Sequence, residues 1–306
     1  MTKFTSLQAI AAAVLACGLA AAPAQAAANR TFVSGTGTDG GTCIRTAPCR
    51  TFAFAFSMTA VGGEIDVLDP AGYGSVTIIH AISIVNDGVG TAGITAGSGN
   101  AITINAGTSD SVHLRGLTLT GLGTGTNGIQ FISGGNLAIE NCVIWNFTSA
   151  GLVIAPSTSS TFSVSNTIAS NNSGVIGILV APTGPAVVSG VLSNVTANNN
   201  GTGINVAGSG PALNVTIADS VASNNSIIGV GASSPATAVL LRHVVASNNT
   251  TGLGASGSTI RVAQSVVTGN VTGVFATGGT IDTYGDNNIN GNTTDIMGAL
   301  TPITTQ

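Results

Sequence analysis

The sequence has very little charge and almost none of one kind. Charged residues make up 6% of its 306 positions, whereas a globular domain carries about 25%. Lys3 is the only lysine, so the chain after residue 26 has six arginines, eleven acids and a net charge of −5. Nucleic acid is bound by clustered cations, and this composition therefore excludes a nucleic-acid partner.

Long apolar runs are also missing beyond the first residues. The run Ala9 to Ala22 follows Lys3 and precedes the small-x-small triplet Ala24–Ala26, as in a secretory signal. The run is too short and too alanine-rich for a membrane anchor. We therefore predict a signal peptide over residues 1–26, no transmembrane segment, and a secreted or cell-surface protein. A lipoprotein-type cleavage before Cys17 is the alternative.

What the sequence does have is a repeat. Glycine, or aspartate at the last position, opens a short apolar strand every 21 to 26 residues, at Gly128, Gly151, Gly177, Gly203, Gly229, Gly252, Gly273 and Asp295. Such a period indicates a solenoid or array. Each unit is too short for a four-stranded propeller blade and lacks the 3.6-residue period of helical repeats. The pattern predicts an all-β parallel β-helix of about ten coils over residues 62–306.

A polar bend gives the repeat a second register. It falls at Asn141, Asn166, Asn194, Asp219, His243, Gln264 and Asp286. Stacked coils should bring these residues into one column with neighbours about 5 Å apart. We expect their side chains to point into the coil, between apolar pairs that line the core: Ile139 and Val143, Val164 and Ile168, Leu241 and Val245. On this interpretation, replacing Asn166 by leucine is more destabilising than replacing Thr167.

Residues 27–61 precede the regular coils and are predicted to form an amino-terminal cap. The phenylalanine-rich stretch Arg50 to Ala60 is interpreted as a helix or strand that covers the first coil, because the end of a solenoid exposes apolar side chains. Export permits disulfides, and Cys43 and Cys49 are predicted to form one; a metal site is the weaker alternative. Cys142 is expected to be a small, half-buried side chain, or else a reactive or intermolecular thiol.

The rungs resemble the right-handed parallel β-helix proteins of the pectin-lyase-like superfamily. The start of the chain, TDGGTCIRTAPCRTFAFAF followed by GGEIDVLDPAGYGSVTI, is similar to that of exported bacterial β-helix proteins. The resemblance covers about residues 30 to 300 and carries no catalytic motif. It implies that catalytic groups, where a member has them, lie on the outer face of one sheet.

The glycine-opened strands match that sheet, and their outward positions carry almost no ionisable side chains. These are Asp66, Thr103, Gln130, Val153, Leu179, Asn205, Gly231, Gly254, Phe275 and Met297. Glycoside hydrolysis needs two carboxylates that face one bond, and a Ca²⁺ site needs several oxygen ligands. The single carboxylate in this column supports neither, so we predict no metal and no cofactor.

Three further groups have both a catalytic and a structural interpretation. Asp219, Arg242 and His243 are the best catalytic candidates, although Asp219 and His243 can simply satisfy each other in a buried ladder. Arg115 and Glu140 should form a surface ion pair. Trp145 and Phe147 either stack on sugar rings or pack locally over the coil.

Two functions follow from these observations. The first is a non-catalytic exported β-helix, a surface or matrix protein that binds a polysaccharide or a cell-surface protein along its flank. The alternative is a polysaccharide lyase or glycoside hydrolase that uses Asp219, Arg242 and His243. Fold alone favours the enzyme, but fold does not determine function.

Overall fold

The computed structural model describes residues 27–172 and 175–304. The predicted signal peptide, including Cys17, lies outside the described residues. One helix, α1 (Phe52–Met58), lies between β1 and β2. The strands are, in chain order, β1 (Ala28–Val33), β2 (Thr59–Val67), β3 (Ala71–Gly72), β4 (Val76–Ile78), β5 (Ile82–Val85), β6 (Ala92–Thr95), β7 (Asn100–Asn105), β8 (Ser111–Arg115), β9 (Leu117–Thr120), β10 (Asn127–Ser133), β11 (Asn136–Glu140), β12 (Val143–Trp145), β13 (Ala150–Ile154), β14 (Ser160–Ser165), β15 (Ile168–Ser170), β16 (Ile176–Val180), β17 (Val187–Ser193), β18 (Thr202–Val206), β19 (Ala212–Ala218), β20 (Ile228–Ser233), β21 (Thr237–Arg242), β22 (Val245–Ser247), β23 (Thr251–Ser256), β24 (Thr259–Ala263), β25 (Val266–Thr268), β26 (Thr272–Thr277), β27 (Thr280–Thr283), β28 (Asn288–Ile289), β29 (Thr294–Met297) and β30 (Leu300–Pro302).

These strands form a parallel β-helix with three faces. The first face is a twelve-stranded sheet, here called the long sheet, that runs from β1 through β2 and β5 to β30. The second is a ten-stranded sheet from β4 to β29, with one strand per coil. The third face consists of a five-stranded sheet (β3, β6, β9, β12, β15) and a three-stranded sheet (β22, β25, β28), joined by single bridges through Thr196 and Val221. The predicted all-β parallel β-helix and its coil number are confirmed.

The core is a column of apolar side chains inside the coils. The inward residues predicted for the ten-stranded sheet, such as Ile129, Phe131, Ile178 and Val180, are completely buried. Strand alternation places every second residue inside. A short apolar-x-apolar unit in each strand is therefore enough to fill the core of its coil.

The amino-terminal segment closes the first coil. Helix α1 begins after Thr51, whose side chain accepts a hydrogen bond from the Phe54 N–H, as N-capping threonines do. Phe52 and Phe56 are buried beneath it, and the Phe52 ring lies 5.0 Å from that of Tyr73. The cap is therefore a helix, one of the two predicted forms. The predicted boundary between residues 61 and 62 falls inside β2.

The disulfide between Cys43 and Cys49 is present, with their Cα atoms 4.8 Å apart. Cys142 is fully buried, and burial raises the pKa of its thiol to about 11. It is therefore a structural side chain, which contradicts a reactive or intermolecular thiol at this position.

The polar bend forms a column, as predicted, but its side chains point the wrong way. Asn194 Nδ2 donates to Asn166 Oδ1 at 2.5 Å, and the Gln264 N–H donates to Asp286 Oδ1 at 3.1 Å, so neighbouring coils do align. All seven bend residues are exposed. Six of the seven have φ between 48° and 53°, the left-handed region, which turns the chain from the long sheet onto the third face.

This turn shifts the alternation of side chains by one residue. The inward position after the bend belongs to the next residue: Cys142, Thr167, Val195, Ser220, Val244 and Ser265. Val143 and Ile168, predicted to line the core, are 37% and 42% exposed, and Val245 is half-buried. A left-handed residue uses one position without continuing the pleat, so each residue after it changes faces.

A second corner, between the third face and the ten-stranded sheet, holds a buried asparagine ladder. It consists of Asn172, Asn200, Asn225, Asn249 and Asn270, continued by Asn292. Each of the five buried asparagines donates its backbone N–H to Oδ1 of the next at 2.8–3.0 Å. The side-chain amides also donate to backbone carbonyls of the preceding coil, as Asn200 does to Ala169 at 3.0 Å. The corner thus satisfies its own buried polar groups.

The repeated glycines make room for this ladder. A Cβ on Gly177 would lie 2.7 Å from Asn200 Nδ2, and one on Gly203 would lie 2.8 Å from Asn225 Nδ2. Each glycine from Gly151 to Gly273 therefore lies against one asparagine of the ladder, once per coil.

Candidate functional site

The central outward column of the ten-stranded sheet has even fewer ionisable side chains than predicted. The register places Thr77, not Asp66, beside Thr103, and the remaining nine positions of the column are as predicted. Asp66 was assigned to the wrong sheet: it lies on β2 of the long sheet. The central column of this face therefore has no ionisable side chain.

The predicted catalytic trio assembles only in part. His243 Nδ1 lies 3.1 Å from Asp219 Oδ1, so these two side chains do stack. Arg242 instead donates from Nε to Gln264 Oε1 at 3.2 Å. All three side chains are exposed on the outer corner of the bend, and the buried ladder expected for Asp219 and His243 lies at the other corner.

Most ion pairs lie on the amino-terminal end of the long sheet. Arg30 contacts Glu64 at 2.7 Å and Asp66 at 2.6 Å. Burial is the main cause that raises the pKa of Asp66, and the hydrogen bond from Arg30 opposes it. A small groove of about 190 Å³ between Arg30, Arg45, Asp66 and Asp87 opens here. Both carboxylates that contact Arg30 are thereby paired with a cation, and the cluster is a salt-bridge network.

The predicted ion pair between Arg115 and Glu140 is wrong. The two residues are register partners on β8 and β11, but Arg115 pairs with Asp87 and Glu140 faces His113 Nε2 at 3.6 Å. Long side chains choose among several neighbours on a sheet face, and the sequence register identifies only one of them. The alternation Glu64-x-Asp66 was the available signal for this cluster.

Within residues 27–172 and 175–304, no group of three or more His, Cys, Asp or Glu side chains is placed to hold a metal ion. In the same part of the chain, no helix is long and apolar enough to cross a membrane.

The third face carries a shallow depression beside the only tryptophan of the chain. Its volume is about 380 Å³, and it is lined by Pro70, Ala71, Gly72, Thr91, Gly93, Ile94, Thr95, Thr118, Thr120 and Trp145. Trp145 is 42% exposed, whereas Phe147 is completely buried. The structure therefore separates the two aromatic residues: Phe147 packs in the core, and Trp145 is available at the surface.

Two rows of residues build this depression. Thr95, Thr120 and Trp145 are register partners on β6, β9 and β12. Gly72, Gly93 and Thr118 form the parallel row on β3, β6 and β9. Because the glycines present no side chain, the surface beside Trp145 is concave. Threonine hydroxyls line one side of it. We call this surface the Trp145 depression.

A second groove, of about 440 Å³, crosses the middle of the long sheet. Its outward side chains include Thr161, Ser189, Asn214, Leu240 and Arg261. Arg261 Nε lies 4.0 Å from Asp282 Oδ2. This groove contains no pair of carboxylates and no exposed aromatic ring.

Comparison with known proteins agrees with the architecture. No curated protein matches the chain. A solved pectate lyase, Pel9A, superposes with a TM-score of 0.66 at 16% identity over 90% of this chain and 77% of that one. The A-module of the mannuronan C-5 epimerase AlgE6 of Azotobacter vinelandii is 15% identical, with a TM-score of 0.45 over 72% of this chain and 71% of that one. The family model of the right-handed β-helix region matches residues 127–294, more than half of the sequence, and the chain therefore belongs to the right-handed parallel β-helix family.

Proposed function

We propose that this protein is an exported, non-catalytic β-helix that binds a glycan in the Trp145 depression. The observation that carries the proposal is the half-exposed indole of Trp145 beside a row of threonines. A large aromatic face packs against the C–H groups of a sugar ring, while nearby hydroxyls exchange hydrogen bonds with the ring's substituents.

The position of Trp145 supports this function. A tryptophan buries a large apolar area when it is covered, and here its ring borders a concave surface instead of packing into the core. Thr95 and Thr120 lie in the same row, so hydroxyls repeat at the strand spacing of about 4.8 Å. A linear glycan that lies along the rod axis would meet these two hydroxyls one strand spacing apart, and then the indole of Trp145.

The placement of charges supports a non-catalytic role. The central outward column of the ten-stranded sheet has no carboxylate, and Arg242 is hydrogen-bonded to Gln264 rather than to the Asp219–His243 pair. Hydrolysis of a glycosidic bond requires an acid and a second carboxylate on opposite sides of the bond. The exposed corner offers no such enclosure.

A polysaccharide lyase or glycoside hydrolase is the second candidate. It is favoured by the similarity in fold to a pectate lyase. It is also favoured by the half-buried Asp66, whose raised pKa is a property found in general acids.

Export is proposed from the predicted signal peptide over residues 1–26. The Cys43–Cys49 disulfide fits an oxidising compartment, since disulfides are rare in reducing ones.

The two functions are separated by binding and turnover measured together. The exported protein is applied to a glycan array and incubated with acidic and neutral polysaccharides, with and without Ca²⁺. We expect retention on a glycan and no new reducing or unsaturated ends. Trp145→Ala should abolish retention, whereas Phe275→Ala, which removes an outward aromatic from the ten-stranded sheet, should preserve it. Turnover that is lost in His243→Ala would overturn the non-catalytic assignment.

A further inference from the structure

We infer that the glycan bound in the Trp145 depression is neutral, a chain of uncharged sugars rather than an acidic polysaccharide. The inference rests on the proposed function and adds the chemical class of the ligand.

The lining of the depression contains no ionisable side chain. Its polar groups are the hydroxyls of Thr91, Thr95, Thr118 and Thr120, the indole N–H of Trp145 and the backbone between them. Hydroxyls and backbone groups match the donors and acceptors of neutral sugars. A carboxylate placed here would lose water without meeting a cation, and such burial is unfavourable.

The one cation that contacts a residue of the lining is already hydrogen-bonded. Arg50 Nη1 donates to the Gly72 carbonyl at 2.5 Å, which satisfies an acceptor on the edge strand β3. A single cation at one end could meet one carboxylate. An acidic polysaccharide carries a carboxylate on many successive sugars and would require a row of cations.

No such row exists elsewhere among the described residues. Arg30, Arg115 and Arg261 face carboxylates, and Arg242 is hydrogen-bonded to Gln264. Arg45 lies over the Phe32 ring at 5.7 Å from its centroid. The formal net charge of the whole chain is −4, and a negatively charged protein repels a polyanion at long range.

The shape of the depression also fits a chain of sugars. Three strand spacings separate Gly72 from the position of Val143, a span of about 14 Å, which exceeds the width of one sugar ring. Both rows run along this span, and Trp145 lies at its carboxyl-terminal end. One ring can stack on the indole while its neighbours contact the hydroxyls.

The single tryptophan provides a direct readout. Trp145 emission is titrated with cellohexaose and xylohexaose as neutral probes and with hexagalacturonate and hexamannuronate as acidic probes. Each titration is repeated at low and moderate salt, with and without Ca²⁺. We expect a neutral probe to change the emission, with an affinity that varies less than about twofold with salt, because no ion pair is screened.

Variants locate the binding. Isothermal titration with Trp145→Ala should show a loss of affinity of at least about tenfold, the order expected for a stacked aromatic. Thr120→Val should weaken binding less, and Phe275→Ala should leave it unchanged. Unchanged melting temperatures would show that all three variants are folded.

The outcomes separate the inference from the function on which it rests. Binding of an acidic probe in preference to neutral ones, lost in Trp145→Ala, would overturn the neutral class but keep glycan binding at this site. Binding of the probes that persists unchanged in Trp145→Ala, or no response to any of the four, would overturn both.

Discussion

At the residue scale, Thr167 illustrates how the inward position after the bend is used. Its hydroxyl is fully buried and donates to the Ser165 carbonyl at 2.8 Å, and it accepts a longer hydrogen bond from the Cys142 N–H at 3.4 Å. Thr167→Val preserves the shape but removes both bonds. We expect a loss of about 1–2 kcal/mol in the free energy of unfolding, measured by urea denaturation.

The neighbouring residue is the matched control. Ile168 is exposed, so Ile168→Thr should change stability by less than about 0.5 kcal/mol. Equal effects of the two substitutions would contradict the inward assignment of Thr167.

Asp69 makes the stability of the cap depend on pH. Its carboxylate accepts hydrogen bonds from the Gly35 N–H at 2.6 Å, the Ser34 hydroxyl at 2.5 Å and the Tyr73 hydroxyl at 2.8 Å. The Gly35 N–H, followed by the Ser34 hydroxyl, holds the pKa of Asp69 below its usual value. A carboxylate with a lowered folded-state pKa stabilises the protein above its unfolded pKa of about 4, and this contribution is lost as pH falls through the folded-state value.

The corresponding variant is Asp69→Asn. We expect it to be less stable than the wild type at pH 7, with a difference that shrinks below about pH 4. Thermal unfolding at a series of pH values tests this, and Asp219→Asn on the exposed bend serves as the control. A difference that is independent of pH would show that the charge of Asp69 does not matter.

At the scale of the repeating element, the asparagine ladder and the glycines form one device. Gly203→Ala would place a Cβ 2.6 Å from the Gly229 carbonyl oxygen and 2.8 Å from Asn225 Nδ2. Backbone and a buried amide cannot move away cheaply, so we expect destabilisation of about 2–4 kcal/mol, as for other overpacked or broken buried networks.

Gly97 is the control for this substitution. A Cβ on Gly97 would meet no atom within 4 Å, and its φ is not in the left-handed region. Gly97→Ala should therefore be neutral or stabilise slightly, since it restricts the unfolded chain. Denaturant midpoints of the two variants that coincide would contradict the close fit around the ladder.

The same element shows how far the sequence could be interpreted. The glycine spacing and the bend column were predictable because each recurs once per coil. The direction of the bend side chains was not, because a polar residue such as Asn166 suits both an exposed left-handed turn and a buried ladder. In Asn198–Asn199–Asn200, the side chain of Asn200 alone is buried, and a one-residue frame decides which.

The Trp145 depression was predictable only in part. An exposed Trp145 was one of two interpretations, but the depression depends on Gly72 and Gly93 lying beside Thr118. These residues belong to the first coils, where the glycine register of the later repeats does not apply. The same irregularity of the first coils explains why Asp66 was predicted to lie on the wrong sheet.

At the scale of the whole molecule, the cap and the coils should respond separately to reduction. Cys43 and Cys49 are six residues apart in sequence, and so short a loop contributes roughly 2–3 kcal/mol in the chain-entropy model. We expect a reductant, or the double substitution of both cysteines by alanine, to increase hydrogen exchange in the cap and leave the asparagine ladder protected. Loss of protection along the entire rod would show that the cap controls the stability of every coil.

The stacking of coils also has a mechanical consequence. Strands of each coil pair with those of the coils before and after, so their hydrogen bonds run along the rod. A tension applied to the two ends would load these layers in series and detach them one by one. Each detached coil would release 21 to 26 residues, or roughly 70–90 Å of slack chain. A tether of this design would yield in similar steps under load while its remaining coils stay folded.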